Sequence, residues 1–327
     1  MKRIFSVFMI AATLLTVFAF AGCNEETSKE LKFGLGVYTT VSATDATEDK
    51  DGQGQATITA AAVLVDEEGK IVKAFVDCAD NKVNYTFDGK AVANDSFVTK
   101  YEQGDAYNMV AYGGASSEWY EQADKVCSLI AGKTTDEIAA LVAEDNKGNE
   151  EVINAGCTIY ISEFVKAVEK AVANAVTTKA TVNDTLKLGI STAQTTTDAD
   201  EDKNGSNKVE TTIFAAAVDA EGKIVDATSD CAEVSFGFDL EGVSAFDASA
   251  EILTKREKGE NYGMKAYAGS EKEWFEQADA FDAACEGKTA SEITGLMNEE
   301  YKAIEDLQAA GCTIYVSGFV KAATKIA

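Results

Sequence analysis

From Ala56 to Asp66 the chain is dense in Thr, Val and Ala; it breaks at Glu67-Glu68-Gly69-Lys70 and resumes in a second apolar run, Ile71 to Val76. Two β-rich runs joined by a short polar turn predict a β-hairpin. The pattern returns from Lys208 to Asp219, with a turn at Ala220 to Lys223 and a resumption at Ile224. Farther along, the period lengthens to that of a helix. Trp119, Ala123, Val126 and Cys127 fall near one face, Ser116-Ser117-Glu118 supplies an N-cap, and Gly132 stops the run. Thr134 starts a second helix that continues through Leu141, copied from Thr289 to Met297 with Ser291 near the start. A β-like Cys-Thr-Ile-Tyr run then leads into a final helix, Phe164 to Ala173 or Phe319 to Ile326. These elements predict an α+β fold, each unit a mainly antiparallel β-sheet packed with α-helices.

The chain is written twice. Leu31-Lys32-Phe33-Gly34 returns as Leu186-Lys187-Leu188-Gly189, and Asp77-Cys78-Ala79 as Asp230-Cys231-Ala232. Glu118-Trp119-Tyr120-Glu121-Gln122 returns as Glu273-Trp274-Phe275-Glu276-Gln277. A period this long exceeds any solenoid repeat, so each unit is expected to fold around its own core. The expected division is a first domain over residues 31–176, a Thr-rich linker over 177–185 and a second domain over 186–327.

Ahead of the repeats, Lys2 and Arg3 precede an apolar run from Ile4 to Phe20, and Ala21-Gly22 leads into Cys23. A charged start, a short apolar core and small residues before a cleavage point describe a signal peptide over residues 1–22. A Cys at that point resembles the bacterial lipoprotein pattern, in which Cys23 carries the lipid and residues 23–30 form a polar tether. The protein is then expected outside the cytoplasm, lipid-anchored to the cell membrane.

Composition removes whole classes of chemistry. The 327 residues contain no His and no Pro, and the formal net charge is −26. Without His there is no Ser-His triad and no His-ligated zinc, and no metal site is expected. The acidic balance argues against nucleic acid as a partner, because phosphate contacts need clustered Lys and Arg.

Three constellations recur in both units. Gly104, Tyr107 and Met109 return as Gly259, Tyr262 and Met264; such a loop can line a pocket for a flat conjugated ring or pack onto the core. Trp119 and Trp274, the two tryptophans of the chain, stand at the same helix start, where a Trp is either core or a ligand contact near free N–H groups. Ala155-Gly156-Cys157-Thr158 and Ala310-Gly311-Cys312-Thr313 place a Thr at the same point, 313 − 158 = 155 residues apart. Thr is a poor nucleophile without an activating partner, and with no His base in the chain neither is expected to be a catalytic residue. A hydroxyl modified by another enzyme fits better. The six cysteines after Cys23 are readable as the disulfides Cys127–Cys157 and Cys285–Cys312, or as free buried thiols.

With these residues in hand, the chain resembles the FMN-binding domain family, and more closely the two-domain flavin-carrying lipoproteins of Gram-positive extracellular electron transfer. In the family's covalent members a motif of the form Ser-Gly-Ala-Thr, followed by Thr or Ser, receives FMN through a phosphoester to Thr, made by a flavin transferase of the ApbE type. Gly156, Cys157, Thr158 and Ser162 match that stretch, as do Gly311, Cys312, Thr313 and Ser317. Ala stands for the motif's Ser and Cys for its Ala in both copies, and Val152 and Leu307 stand at its acidic position. The resemblance implies two FMN groups, a membrane electron donor, an extracellular acceptor, and an electron carrier rather than a stand-alone enzyme. The alternative is a surface lipoprotein that binds a ligand or partner without covalent flavin.

Overall fold

The computed structural model describes residues 30–247, 249 and 251–327. The signal segment, Cys23 and the tether as far as residue 29 lie outside the described residues. The first half runs β1 (Lys32–Thr44), β2 (Gly52–Val65), β3 (Ile71–Tyr85) and the two-residue β4 (Ala91–Val92), then α1 (Lys100–Gln103), α2 (Trp119–Ile130), α3 (Thr135–Ala139), α4 (Glu150–Asn154) and α5 (Ser162–Ala173). After β5 (Val176–Thr177) the second half runs β6 (Thr185–Thr197), β7 (Gly205–Val218) and β8 (Ile224–Phe238), then α6 (Lys255–Lys258), α7 (Met264–Ala268), α8 (Trp274–Cys285), α9 (Glu305–Ala309) and α10 (Ser317–Thr324). The fold is α+β, with antiparallel sheets in the orders β4-β3-β2-β1-β5 and β6-β7-β8.

Both hairpins form where the sequence places them, and both are longer than it suggests. Their turns are fixed by Asp66 and Asp219, whose Oδ1 atoms accept from the backbone N–H groups of Glu68 and Lys70, and of Glu221 and Lys223. Residues of β2 alternate between buried and half-buried as far as Thr57, and from Ile58 to Val65 every one is buried. That change marks where the strand becomes covered on both faces, and its Ala-rich sequence is what close cover requires. Helix α5 lies against β1 at Gly36, where a Cβ would sit 2.1 Å from the Ala167 carbonyl oxygen; α10 does the same at Gly189, where the distance to the Ala322 oxygen would be 1.9 Å. Only glycine admits a helix at that separation.

The two sheets face one another, with β1 near β8, β2 near β7 and β3 near β6. Phe33, Leu35, Ile58, Leu64, Leu188, Ile213 and Ala215 form a core between them. The helices cover the outer faces and enclose two further cores, one around Trp119, Val126, Ile138 and Phe164 and the other around Trp274, Phe281, Ile293 and Phe319. The expectation of one core per unit therefore accounts for the two outer clusters; the core between the sheets, and two smaller clusters around Phe236 and around Tyr85 and Phe238, are shared by the two halves. A polar pin crosses the shared face, where buried Asn81 donates to Thr211 Oγ1 at 2.9 Å and accepts from Thr192 Oγ1 at 3.1 Å. At one end the rings of Tyr85 and Phe238 stack at 4.6 Å.

Two local readings change. The Cys-Thr-Ile-Tyr run is not a strand; it forms a loop whose ladder contact is a single bridge, Lys147 to Tyr160 or Lys302 to Tyr315. The copy of α3 is a 3-10 turn over Glu292–Leu296, where Gly295 stands inside the segment and weakens an α-helix by about 1 kcal/mol relative to Ala.

Candidate functional site

Each Gly-Cys-Thr loop begins where a short helix ends. Gly156 and Gly311 take φ of +91° and +100°, the left-handed conformation that closes a helix C-terminus and that a side chain resists. The next amide folds back, Cys157 N to Val152 O and Cys312 N to Leu307 O, each at 3.1 Å. The chain leaves this turn with alternate side chains opposed. Cys157 and Cys312 are buried in the outer cores, while Thr158 and Thr313 are exposed.

A buried glutamine holds each threonine. Gln122 Oε1 accepts from Thr158 N at 2.8 Å and from Thr158 Oγ1 at 3.2 Å. Gln277 Oε1 accepts from Thr313 N at 2.8 Å and from Thr313 Oγ1 at 3.0 Å. Both glutamines are 0% exposed, and their amide groups are pinned in turn, Gln122 Nε2 donating to Ser117 O and Gln277 Nε2 to Ser270 Oγ and Lys272 O. The hydroxyl is thus oriented by a fixed partner on a residue that is itself exposed. An amide oxygen is far too weak a base to take the hydroxyl proton, so the arrangement positions Thr without activating it.

The first turn of α2 and α8 joins this loop to the Gly-Tyr-Met loop. Glu118 caps α2 and accepts from the Met109 and Val110 amides at 2.8 and 3.0 Å; Glu273 caps α8 and accepts from Met264 and Lys265 at 2.8 and 3.2 Å. Gly104 and Gly259 end α1 and α6. Tyr107, Met109, Tyr262 and Met264 pack partly buried on the outer cores. The rings of Trp119 and Trp274 are 4% and 3% exposed and lie against Phe164 and Phe319, the core placement of a Trp at helical phase. Ser162 and Ser317 are the first residues of α5 and α10. Tyr160 and Tyr315, two residues beyond each Thr, are 62% and 66% exposed.

Sequence reasoning missed the roles of three residues in each constellation. Gln122/Gln277 stand inside the repeated Glu-Trp-x-Glu-Gln, so the letters were visible and the role was not; Glu118 was legible as part of the N-cap, but its hold on the Met109 and Val110 amides, repeated by Glu273, was not. The third is a cation, half-buried at Lys100 and buried at Lys255. Lys100 Nζ lies 5.7 Å from the ring centroids of both Tyr107 and Trp119, and Lys255 Nζ lies 5.4 and 5.6 Å from those of Tyr262 and Trp274. Burial works to lower the pKa of Lys100, but the charges of its neighbours, Asp80 among them at 3.2 Å, raise it, and the ammonium is kept. The signal that could have found this residue is the paired capping box Thr99-Lys-x-Glu102 and Thr254-Lys-x-Glu257.

All six described cysteines are free and five are buried, so the free-thiol reading holds and Cys127–Cys157 and Cys285–Cys312 are not bonded. Burial pushes the Cys78 and Cys127 thiols up to about 12, which keeps them protonated and unreactive.

No protein-family model and no solved structure matches the chain. It is similar to a chlorophenol reductase of Desulfitobacterium hafniense, 34% identical over 119 residues, a match covering 33% of this chain and 36% of that protein. The chain thus spans about a third of that relative's length.

Proposed function

We propose that the chain is a pair of tandem homologous FMN-carrying domains, lipid-anchored at Cys23, that shuttle electrons between a membrane donor and an extracellular acceptor. The observation that carries this reading is the exposed Thr whose hydroxyl is held by a buried Gln in both halves. A group presented twice in the same geometry, with no base beside it to use it, suits modification by a separate flavin transferase. Forming the phosphoester joins Thr Oγ to phosphorus; the hydroxyl proton leaves to the transferase, and the donor's leaving group departs with the bond it gives up.

The residues present fit a flavin phosphate. The left-handed glycine turn fixes the backbone, Cys157 and Cys312 anchor the loop inward, and Gln122 and Gln277 aim the oxygen outward. The exposed Tyr160 and Tyr315 rings offer apolar surface to a flat ring system. The bound flavin would supply the redox chemistry, and the protein supplies its orientation and electrostatic surroundings. The acidic balance of the chain disfavours added negative charge and so lowers the reduction potential. The reductase name of the partial relative is in keeping with a redox role.

Coexpression with a flavin transferase tests the reading. The expected product is yellow and carries two FMN masses, of which Thr158→Ala and Thr313→Ala each remove one. A colourless protein of unmodified mass would overturn it.

A further inference from the structure

The two threonine loops share one more feature, which no comparison of equivalent positions reveals. In the first half Lys125 Nζ lies 3.0 Å from Ser117 Oγ and 3.4 Å from the Gly156 carbonyl oxygen. In the second half Lys272 Nζ lies 2.9 Å from the Ala310 carbonyl oxygen. Each ammonium rests on the face of the loop glycine: a Cβ on Gly156 would meet Lys125 Nζ at 3.2 Å, and one on Gly311 would meet Lys272 Nζ at 2.3 Å.

These lysines are not counterparts in sequence. At the offset of 155 residues that relates Thr158 to Thr313, Lys272 corresponds to Ser117 and Lys125 to Ala280. One ammonium reaches the loop from two turns into α2, the other from two residues before α8. Both are half-buried, and neither forms a salt bridge among the described residues, in a chain whose net charge is −26. An unpaired cation kept at the same place by two different routes points to a function of the charge itself.

Resting on the reading above, we propose that Lys125 and Lys272 are the phosphate-binding residues of the two sites. Each ammonium donates to the flavin phosphate beside Thr158 or Thr313, both while the hydroxyl is being modified and in the finished phosphodiester. Lys acts here as a point charge on a phosphate that keeps one negative charge after esterification. The carbonyl oxygens that now accept from the lysines hold them over the loop.

The test is site-resolved mass spectrometry of protein coexpressed with a limiting amount of flavin transferase. Lys125→Met is expected to slow modification of Thr158 about tenfold or more, the effect of losing one charge-assisted hydrogen bond, while Thr313 is modified at the wild-type rate. Lys272→Met is expected to do the reverse. The double substitution Ser117→Lys/Lys125→Ala moves the first ammonium to the position used in the second half and should restore modification of Thr158. Thermal melts matching the wild type exclude misfolding as the cause. Wild-type modification that continues unchanged in both Lys→Met variants would overturn the phosphate site and leave the flavin reading intact. A wild-type chain that is never modified would overturn both.

Discussion

The two helical layers are most alike at their threonines and least alike one layer deeper. In the first half Val76, Tyr101 and Cys127 meet beneath α2, an apolar group apart from the Tyr hydroxyl that reaches Asp124. The equivalent positions of the second half hold Ser229, Arg256 and Asp282. There the Asp282 carboxylate, 4% exposed, accepts from Ser229 N at 2.9 Å and Ser229 Oγ at 2.7 Å, and the Arg256 guanidinium lies 3.4 Å away. Three positions far apart in sequence have changed together, from packing to a buried ion pair. The same scaffold thus tolerates either solution, because each leaves every buried group satisfied.

The largest effect expected from breaking this contrast is that of Asp282→Ala. It strands the Arg256 charge beneath the helix with Asp279 as its remaining acidic partner, and the loss should approach about 3 kcal/mol, the lower end for half of a buried pair. Urea unfolding measures it. Grafting the whole first-half solution, Ser229→Val with Arg256→Tyr and Asp282→Cys, should be close to neutral or stabilising by up to about 4 kcal/mol. A triple variant as unstable as Asp282→Ala would show that the second half depends on its ion pair for more than local satisfaction.

The same burial gives the halves different responses to pH. Desolvation pushes Asp282 up to about 6, outweighing the Arg256 charge, and it pushes Asp77 and Asp230 up to about 6 as well. For an acid whose folded pKa lies above its unfolded value of 3.8, the stabilising contribution is complete below about pH 4 and is lost as pH rises through 6. Glu233 works in the opposite sense: burial opposes its ionisation, but Lys208 and Lys255 hold its pKa low, so its contribution is present above its ordinary value of 4.5 and fades in stronger acid. The melting temperature should therefore peak near about pH 4, where the three raised carboxylates still contribute in full and Glu233 has begun to ionise, and fall between about pH 4 and 6. In the grafted triple variant the decline between about pH 4 and 6 should shrink, since the first-half pattern supplies one raised carboxylate of this kind where the second supplies two. A decline of unchanged size would remove Asp282 from its causes.

These contrasts explain what could be read in the sequence. Hairpins, the α2 and α8 helices and the duplicated threonine were legible because each is a local pattern written twice. Strand β1 was not legible: Thr39 to Thr44 is half-buried or exposed, and its apolar residues face another sheet rather than a nearby helix. The Cys-Thr-Ile-Tyr run carries strand-forming residues, yet its amides are taken by Val152 O and Gln122 Oε1 or their counterparts, so no ladder forms. Lys125 and Lys272 were hidden for the opposite reason, since a repeat compared position by position cannot show one role filled from two positions.

Gln122 and Gln277 give a smaller effect that should be equal in the two halves. Replacing either by Ala leaves a Thr amide and hydroxyl to water and empties a fully buried site, for a loss of about 1–3 kcal/mol. The two losses should agree within about 0.5 kcal/mol, because the geometries match. In flavin-loading experiments each variant should impair its own threonine alone. Equal impairment of both threonines by one substitution would mean that the halves are coupled through the shared core.

The smallest expected effect bears on how the halves meet. Lys170 of α5 reaches Glu257 of α6 at 2.5 Å, and Lys325, just past α10, reaches Glu102 of α1 at 2.8 Å. The offset of 155 residues converts one pair into the other, so the two contacts are reciprocal, as at a two-fold interface. Each side chain is between 22% and 31% exposed, which places each pair among surface ion pairs worth about 0.2–1 kcal/mol. Double-mutant cycles on Lys170/Glu257 and on Lys325/Glu102 should return couplings equal within error, both weakened by salt. If one coupling were absent while the other persisted, the facing sheets would open more readily at one edge than at the other. The shared core of Phe33, Leu35, Leu188 and Ile213 would then be what holds the halves together, and the salt bridges would only mark where they touch.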